Sequence, residues 1–147
     1  MSAPRQLSVL LVDDSALVCA RMRQLLEEDS RVLIVGVAAS SAEGLRQFEC
    51  LAPDVVVLDI GLPDTSGLVL LRTLKNRRPS CVVIMLTASE ECREKALALG
   101  ADHFCDKGRE FMLAAEIVKR MAEFSAGKPK PQSALELDPT LQPRSCW

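Results

Sequence analysis

A doubly wound α/β fold on a single parallel sheet is the class this sequence predicts, and three observations carry the prediction. Apolar runs begin near Leu7, Val32, Val55, Val82 and Asp102. Each is followed by a stretch whose apolar residues recur at spacings of three and four, as one face of a helix requires. The runs Val9-Leu10-Leu11-Val12, Val55-Val56-Val57-Leu58 and Val82-Val83-Ile84-Met85-Leu86 are continuous rather than alternating. Strands read that way when both of their faces are covered, which is the situation in parallel sheets flanked by helices.

Taken in order, the first strand stops at Asp13-Asp14 and a helix starts near Ser15. In that helix Val18, Met22, Leu25 and Leu26 share a face opposite Arg21, Arg23 and Glu27. Ser40, Ser66 and Ser89 are the expected N-caps of the second, third and fourth helices, because a serine hydroxyl there accepts an otherwise unpaired N–H. Gly100 is placed to end the fourth helix, where a left-handed residue is wanted. A short, weak fifth strand leads to Lys107. The last helix repeats Phe111, Ala114, Ile117, Val118 and Met121, opposite Glu116, Lys119 and Glu123. Right-handed crossovers between five strands lead to the flavodoxin-like order 2-1-3-4-5. The chain divides into an N-terminal extension (1–6), one domain (7–125) and a Pro-containing flexible tail (126–147).

The 147 residues are 48% hydrophobic and 26% charged, with a formal net charge of -2. That balance suits a folded globular domain and lacks the strongly basic face of a nucleic-acid binder. The first residues, Met1-Ser2-Ala3-Pro4-Arg5, lack a signal peptide's apolar stretch, and no run approaches the ~20 residues of a membrane span. The expectation is a cytoplasmic protein. Its six cysteines are scattered, without a C-x-x-C pair, and His103 is the single histidine. Buried, reduced thiols are expected rather than a zinc site or a disulfide framework.

Asp59 is the most informative residue. It closes the run Val55–Leu58, and a carboxylate at the mouth of a buried strand is costly unless it is used. Asp13 and Asp14 close the first strand, Thr87 the fourth, and Lys107 the fifth, so in parallel neighbours these groups meet at one sheet edge. Two unit charges ~4 Å apart repel by about 4 kcal/mol at an effective dielectric near 20. Gathered carboxylates therefore need a proton or a cation, and an oxygen-only set favours a hard ion such as Mg²⁺, with Mn²⁺ as the alternative. Asp14 and Asp59 are the expected direct ligands, with Asp13 direct or through water, and the backbone carbonyl of Gly61 turning back to the same ion. A carboxylate is also a nucleophile towards phosphorus. Lys107 and the Thr87 hydroxyl are then the groups that take phosphoryl oxygens.

Val12-Asp13-Asp14-Ser15, Asp59-x-x-Leu62-Pro63-x-x-x-Gly67, Thr87-Ala88, Gly100-Ala101-Asp102 and Lys107 together resemble the receiver domain of bacterial two-component response regulators. The resemblance covers roughly residues 7–124. It implies that Asp59 accepts a phosphoryl group from a phosphohistidine on a sensor kinase or phosphotransfer protein. It also implies that Asp13 and Asp14 belong to a Mg²⁺ pocket and that Lys107 contacts the phosphoryl group. Thr87 then moves towards the site and Phe104 changes rotamer, altering the helix 4–strand 5–helix 5 face where partners bind. The expected protein is a stand-alone signalling receiver rather than an enzyme, with Mg²⁺-dependent self-phosphorylation and autodephosphorylation and no direct nucleic-acid or membrane contact. The chain departs from the family at Gly108, where proline is usual. A trans Lys107–Gly108 bond and a looser loop follow as expectations, since a non-proline cis bond costs about 2.5–4 kcal/mol. Gly61 and Ser89, two residues beyond Asp59 and Thr87, are small and suggest an uncrowded site.

Three other readings compete. An aspartate-nucleophile phosphohydrolase usually carries a second carboxylate two residues after the nucleophile, where this chain has Gly61. A flavin-binding flavodoxin relative needs a Ser/Thr/Gly phosphate cradle in its first loop, which Asp13-Asp14 would repel. A degenerate receiver acting as a phosphorylation-independent adaptor is opposed by the complete acidic set and favoured by Gly108.

Overall fold

In the computed structural model, which describes residues 5–125, strand and helix alternate throughout the described residues. The order is β1 (Leu7–Val12), α1 (Ala16–Glu27), β2 (Val32–Ala38), α2 (Ser41–Leu51), β3 (Val55–Leu58), α3 (Gly67–Arg77), β4 (Val82–Thr87), α4 (Arg93–Ala98), β5 (His103–Asp106) and α5 (Phe111–Ser125). All strand pairs are parallel, and the sheet runs β2-β1-β3-β4-β5. This is the flavodoxin-like order expected from the sequence. The expected tail and residues 1–4 lie outside the described residues.

The continuous apolar strands feed two cores at once, because successive strand side chains point to opposite faces. Val9, Leu11, Val55, Val57, Ile84 and Leu86 pack with Met22 and Leu26 of α1 and Ala114 and Val118 of α5. Their neighbours Leu10, Val12, Val56, Leu58, Val83 and Met85 pack instead with Phe48 of α2, Leu71 and Leu74 of α3, and Ala96 of α4. Helices 1 and 5 therefore cover one face of the sheet and helices 2, 3 and 4 the other. Among the described residues no helix is long and apolar enough to cross a membrane.

Helix ends follow local chemistry. Ser15 and Ser40 accept N–H bonds from Val18 and Glu43, and Ser66 accepts one from Leu68. Gly100 takes φ +109° after α4, and the N–H groups of Gly100 and Ala101 return to Leu97 and Ala96, closing the helix as expected. Ser89 departs from expectation and caps nothing with its side chain. Glu90–Cys92 first wind into a 3₁₀ turn, which pushes the start of α4 to Arg93. Among the described residues Cys19, Cys81, Cys92 and Cys105 are free thiols, in line with the expectation for most of the cysteines.

Gly67 begins α3 against the end of β3. A Cβ there would lie 2.0 Å from the Asp59 carbonyl oxygen, and its N–H donates to the Ile60 carbonyl at 2.8 Å. The side chain is excluded by backbone, which cannot move without displacing Asp59. We expect Gly67→Ala to cost about 1–3 kcal/mol, the usual penalty of overpacking a rigid site. The measurement is the urea midpoint, and an unchanged midpoint would show that the close approach is dispensable.

Candidate functional site

Parallel register converts sequence position into proximity. Val12 pairs with Leu58, Leu58 with Met85, and Thr87 with Asp106. Backbone bonds carry the alignment past the strand ends, from Asp59 N–H to Val12 O at 2.9 Å and from Lys107 N–H to Thr87 O at 2.9 Å. The sequence-expected residues Asp13, Asp14, Asp59, Gly61, Thr87 and Lys107 thus lie on strand ends or the loops just beyond, at the carboxyl edge of the sheet.

Three of them form an acidic cluster. Asp13, Asp14 and Asp59 each offer a carboxylate oxygen, and these oxygens lie within 4.8 Å of one another. Asp13 and Asp59 are both only 7% exposed, whereas Asp14 faces solvent. Lys107 Nζ reaches between the two buried carboxylates, 2.8 Å from Asp13 Oδ2 and 3.2 Å from Asp59 Oδ2. Burial pulls the lysine pKa down, but the Asp13 hydrogen bond and the charges of Asp59 and Asp13 outweigh it, and the net shift is upward. One ammonium against three carboxylates leaves the cluster with excess negative charge. The donor set is all oxygen and partly open to solvent, which fits a hard divalent cation. Asp13 is oriented for this by Ser15, whose N–H donates to Asp13 Oδ1 at 2.8 Å just before α1.

Thr87 is buried at 1% exposure, and its hydroxyl oxygen accepts the Ser89 N–H at 3.3 Å. Gly61 is exposed at the rim. The nearest atom to a Cβ built on it is Asp59 Oδ2, 3.8 Å away, so the space beside Asp59 is open on that side. Phe104 is buried, with the Arg93 guanidinium 4.8 Å over its ring. The Lys107–Gly108 bond is trans, as expected. The expected looseness of the loop is not seen. Asp106 Oδ1 accepts the N–H groups of Gly108 and Arg109, both at 2.9 Å, and ties the loop to the strand end.

Several supporting residues were not expected. Asp64, on the loop after Asp59, accepts the N–H groups of Ser41 and Ala42 at 2.8 and 2.9 Å and so straps that loop to the start of α2. These two bonds hold its carboxyl below the usual range. A partner 22 or more residues away leaves no sequence signal. Asp106-x-Gly108, by contrast, is a local turn pattern that was available to be read. Cys19, on α1, lines a small cavity together with Asp13, Asp59, Val57 and Leu86.

Burial first, and then the charge of Asp13, push the Cys19 thiol up to about 11. At pH 8 only on the order of one thiol in a thousand would then be thiolate, the reactive form. Iodoacetamide at pH 8 should accordingly leave Cys19 unmodified in the folded protein while denatured protein is alkylated there freely. Mass spectrometry of the Cys19 peptide checks this, and rapid native labelling would contradict it.

Comparison with known proteins agrees with this geometry. The family model for the response regulator receiver domain matches residues 9–119. A protein-glutamate methylesterase/protein-glutamine glutaminase of Symbiobacterium thermophilum is 36% identical over 95% of this chain and 41% of its own length. A second protein of that description, from Koribacter versatilis, is 37% identical over 86% of this chain and 38% of its own length. The chain thus spans about two fifths of the length of these curated relatives. Among solved structures, a CheY-like response regulator receiver domain protein from Methanospirillum hungatei superposes with a TM-score of 0.71 at 30% identity, over 82% of this chain and 96% of that one. The response regulator domain of Thermotoga maritima CheB gives the same TM-score at 26% identity, with the same coverage. With its own acidic edge and the family match spanning most of the sheet, the chain belongs to the response regulator receiver domain family.

Proposed function

We propose that this receiver accepts a phosphoryl group on Asp59 from a phosphohistidine of a sensor kinase or phosphotransfer protein, and that the modification switches partner binding. The observation that carries the reading is Lys107 set between Asp13 and Asp59 inside the acidic cluster. In the step, an Asp59 carboxylate oxygen bonds to phosphorus as the bond from phosphorus to the donor imidazole breaks, and the imidazole keeps the electron pair. Asp13, Asp14, Asp59 and the Gly61 backbone carbonyl would hold Mg²⁺, or Mn²⁺ in its place, which when bound neutralises charge on the phosphoryl oxygens. Lys107, held against Asp13 and Asp59, supplies a further positive charge. It exchanges part of its contact with the carboxylates for a phosphoryl oxygen, so its desolvation is offset in both states.

Thr87 and Phe104 are the residues through which the change travels. The Thr87 hydroxyl has only a 3.3 Å bond to release before turning to a phosphoryl oxygen. Phe104 lies on β5 beneath Arg93 of α4. A partner face on α4, β5 and α5 is supported by Leu97 and Leu113, which are 45% and 46% exposed there. With open space at Gly61, water reaches Asp59 readily, which favours autodephosphorylation.

A second reading of the output is favoured by the relatives. If this receiver controls a protein-glutamate methylesterase, phosphorylation acts on that enzyme rather than on a separate target. Sequencing the natural transcript beyond the Trp147 codon separates the two: a following methylesterase frame supports the second, a stop codon the first.

Incubation with Mg²⁺ and acetyl phosphate should add one phosphoryl group, seen as an intact-mass gain that EDTA prevents and Asp59→Asn abolishes. Lys107→Ala should slow labelling on the order of 10²-fold, the usual cost of removing one charge-stabilising donor. Labelling that survives Asp59→Asn would move the nucleophile elsewhere. A steady release of inorganic phosphate from a generic phosphoester would favour the phosphohydrolase.

A further inference from the structure

We propose that Asp106 is the positioning residue that aims Lys107 into the acidic site, and that Glu110 and Arg93 anchor it to α4. The inference rests on the proposed role of Lys107, and it assigns to hydrogen bonds the work of shaping a loop where the family usually carries proline. Lys107 is the first residue past β5, and α5 begins at Phe111, so the chain must reverse within a few residues. Asp106 closes that reversal with one carboxylate oxygen, its carbonyl and its own N–H. Its Oδ1 accepts the Gly108 and Arg109 N–H groups at 2.9 Å, its carbonyl accepts the Glu110 N–H at 2.8 Å, and its own N–H donates to Glu110 Oε1 at 2.9 Å. Lys107 sits inside this ring, with its own N–H held by the Thr87 carbonyl. The ammonium then has a short, constrained route to Asp13 and Asp59. A proline at 108 has no N–H and would delete one of these bonds. The glycine therefore keeps a donor that the ring uses.

The ring is also tied outward. Glu110 Oε1 accepts from Arg93 Nη2 at 3.2 Å, and Arg93 donates to the Phe104 carbonyl at 3.3 Å and pairs with Glu90 through Nε at 2.7 Å. The same guanidinium stacks on Phe104. Hydrogen bonds from Asp106 N–H and then Arg93 hold Glu110 in its charged form against partial desolvation. One continuous set of polar contacts thus runs from the lysine loop to the start of α4. Any shift of Phe104 or α4 would reach Lys107 through it.

The alternative is that Asp106 merely stabilises the turn into α5, and a double-mutant cycle separates the two. The rate of Mg²⁺-dependent labelling by acetyl phosphate is measured for wild type, Asp106→Ala, Asp106→Asn, Lys107→Ala and the Asp106→Ala/Lys107→Ala pair. Asp106→Ala should slow labelling about 10-fold, since misplacing a catalytic group by ~1 Å can cost up to 10²-fold. Asp106→Asn, which keeps the Oδ1 acceptor, should stay within about 2-fold of wild type. In the Lys107→Ala background, Asp106→Ala should add less than about 2-fold, because both changes remove the same contribution. An unaltered rate in Asp106→Ala, or a full additional loss in the double variant, would overturn the inference. If Asp106→Ala fails to fold, Glu110→Ala, which removes the acceptor for the Asp106 N–H, takes its place in the cycle with the same criteria. Should wild type take up no phosphoryl group, the proposed function fails and crystal structures decide the inference instead. Lys107 Nζ withdrawn from Asp13 and Asp59 in the variant supports it, and an unmoved Nζ refutes it.

Discussion

The pairing of Val12 with Leu58 across β1 and β3 sets the position of everything at the carboxyl edge of the sheet. It brings Asp13 and Asp59, the next residue of each strand, to the same level, and the Asp59 N–H to Val12 O bond extends that alignment by one residue. A slip by one residue would move every side chain of a strand to the opposite face. It would also place Leu10 and Val56 among the residues of helices 1 and 5, and Val9 and Val55 against helices 2, 3 and 4, where the two cores are differently shaped. Because both faces are filled, the register is set by burial of the entire strand. The acidic pair is a by-product of hydrophobic packing, held at a distance that its own charges would oppose.

That opposition explains the rest of the site. Two nearly buried carboxylates side by side repel each other, and Lys107 is placed where it offsets both. One ammonium cannot balance three carboxylates, so the cluster keeps excess negative charge of a kind that a hard cation could offset. The supporting contacts share a purpose: Ser15 orients Asp13, Gly67 lets α3 approach Asp59, Asp64 straps the loop between them, and Asp106 turns the chain after Lys107.

Much of this was legible in the sequence, for identifiable reasons. Continuous apolar strands and the residues at their ends are local patterns, so Asp13, Asp14, Asp59, Thr87 and Lys107 could be picked out and the strand order inferred. Serine caps at 40 and 66 were equally local. Ser89 misled because a 3₁₀ turn and an α-helix share the same capping residues and differ only in how tightly Glu90–Cys92 wind. The lysine loop misled for another reason. Absence of proline was read as absence of restraint, although Asp106 two residues before Gly108 supplies a restraint of a different kind.

The sequence by itself determined the secondary elements, the two-sided burial of the strands and the residue types at each strand end, because periodicity and capping act over a few residues. Tertiary structure alone decided how near those ends come, and therefore that Lys107 bridges Asp13 and Asp59 rather than facing water. It also decided the Asp64 strap to α2 and the Arg93 contacts with Phe104 and Glu110. Those are meetings of groups far apart in the chain. Their energies depend on distance and burial, which no local pattern carries.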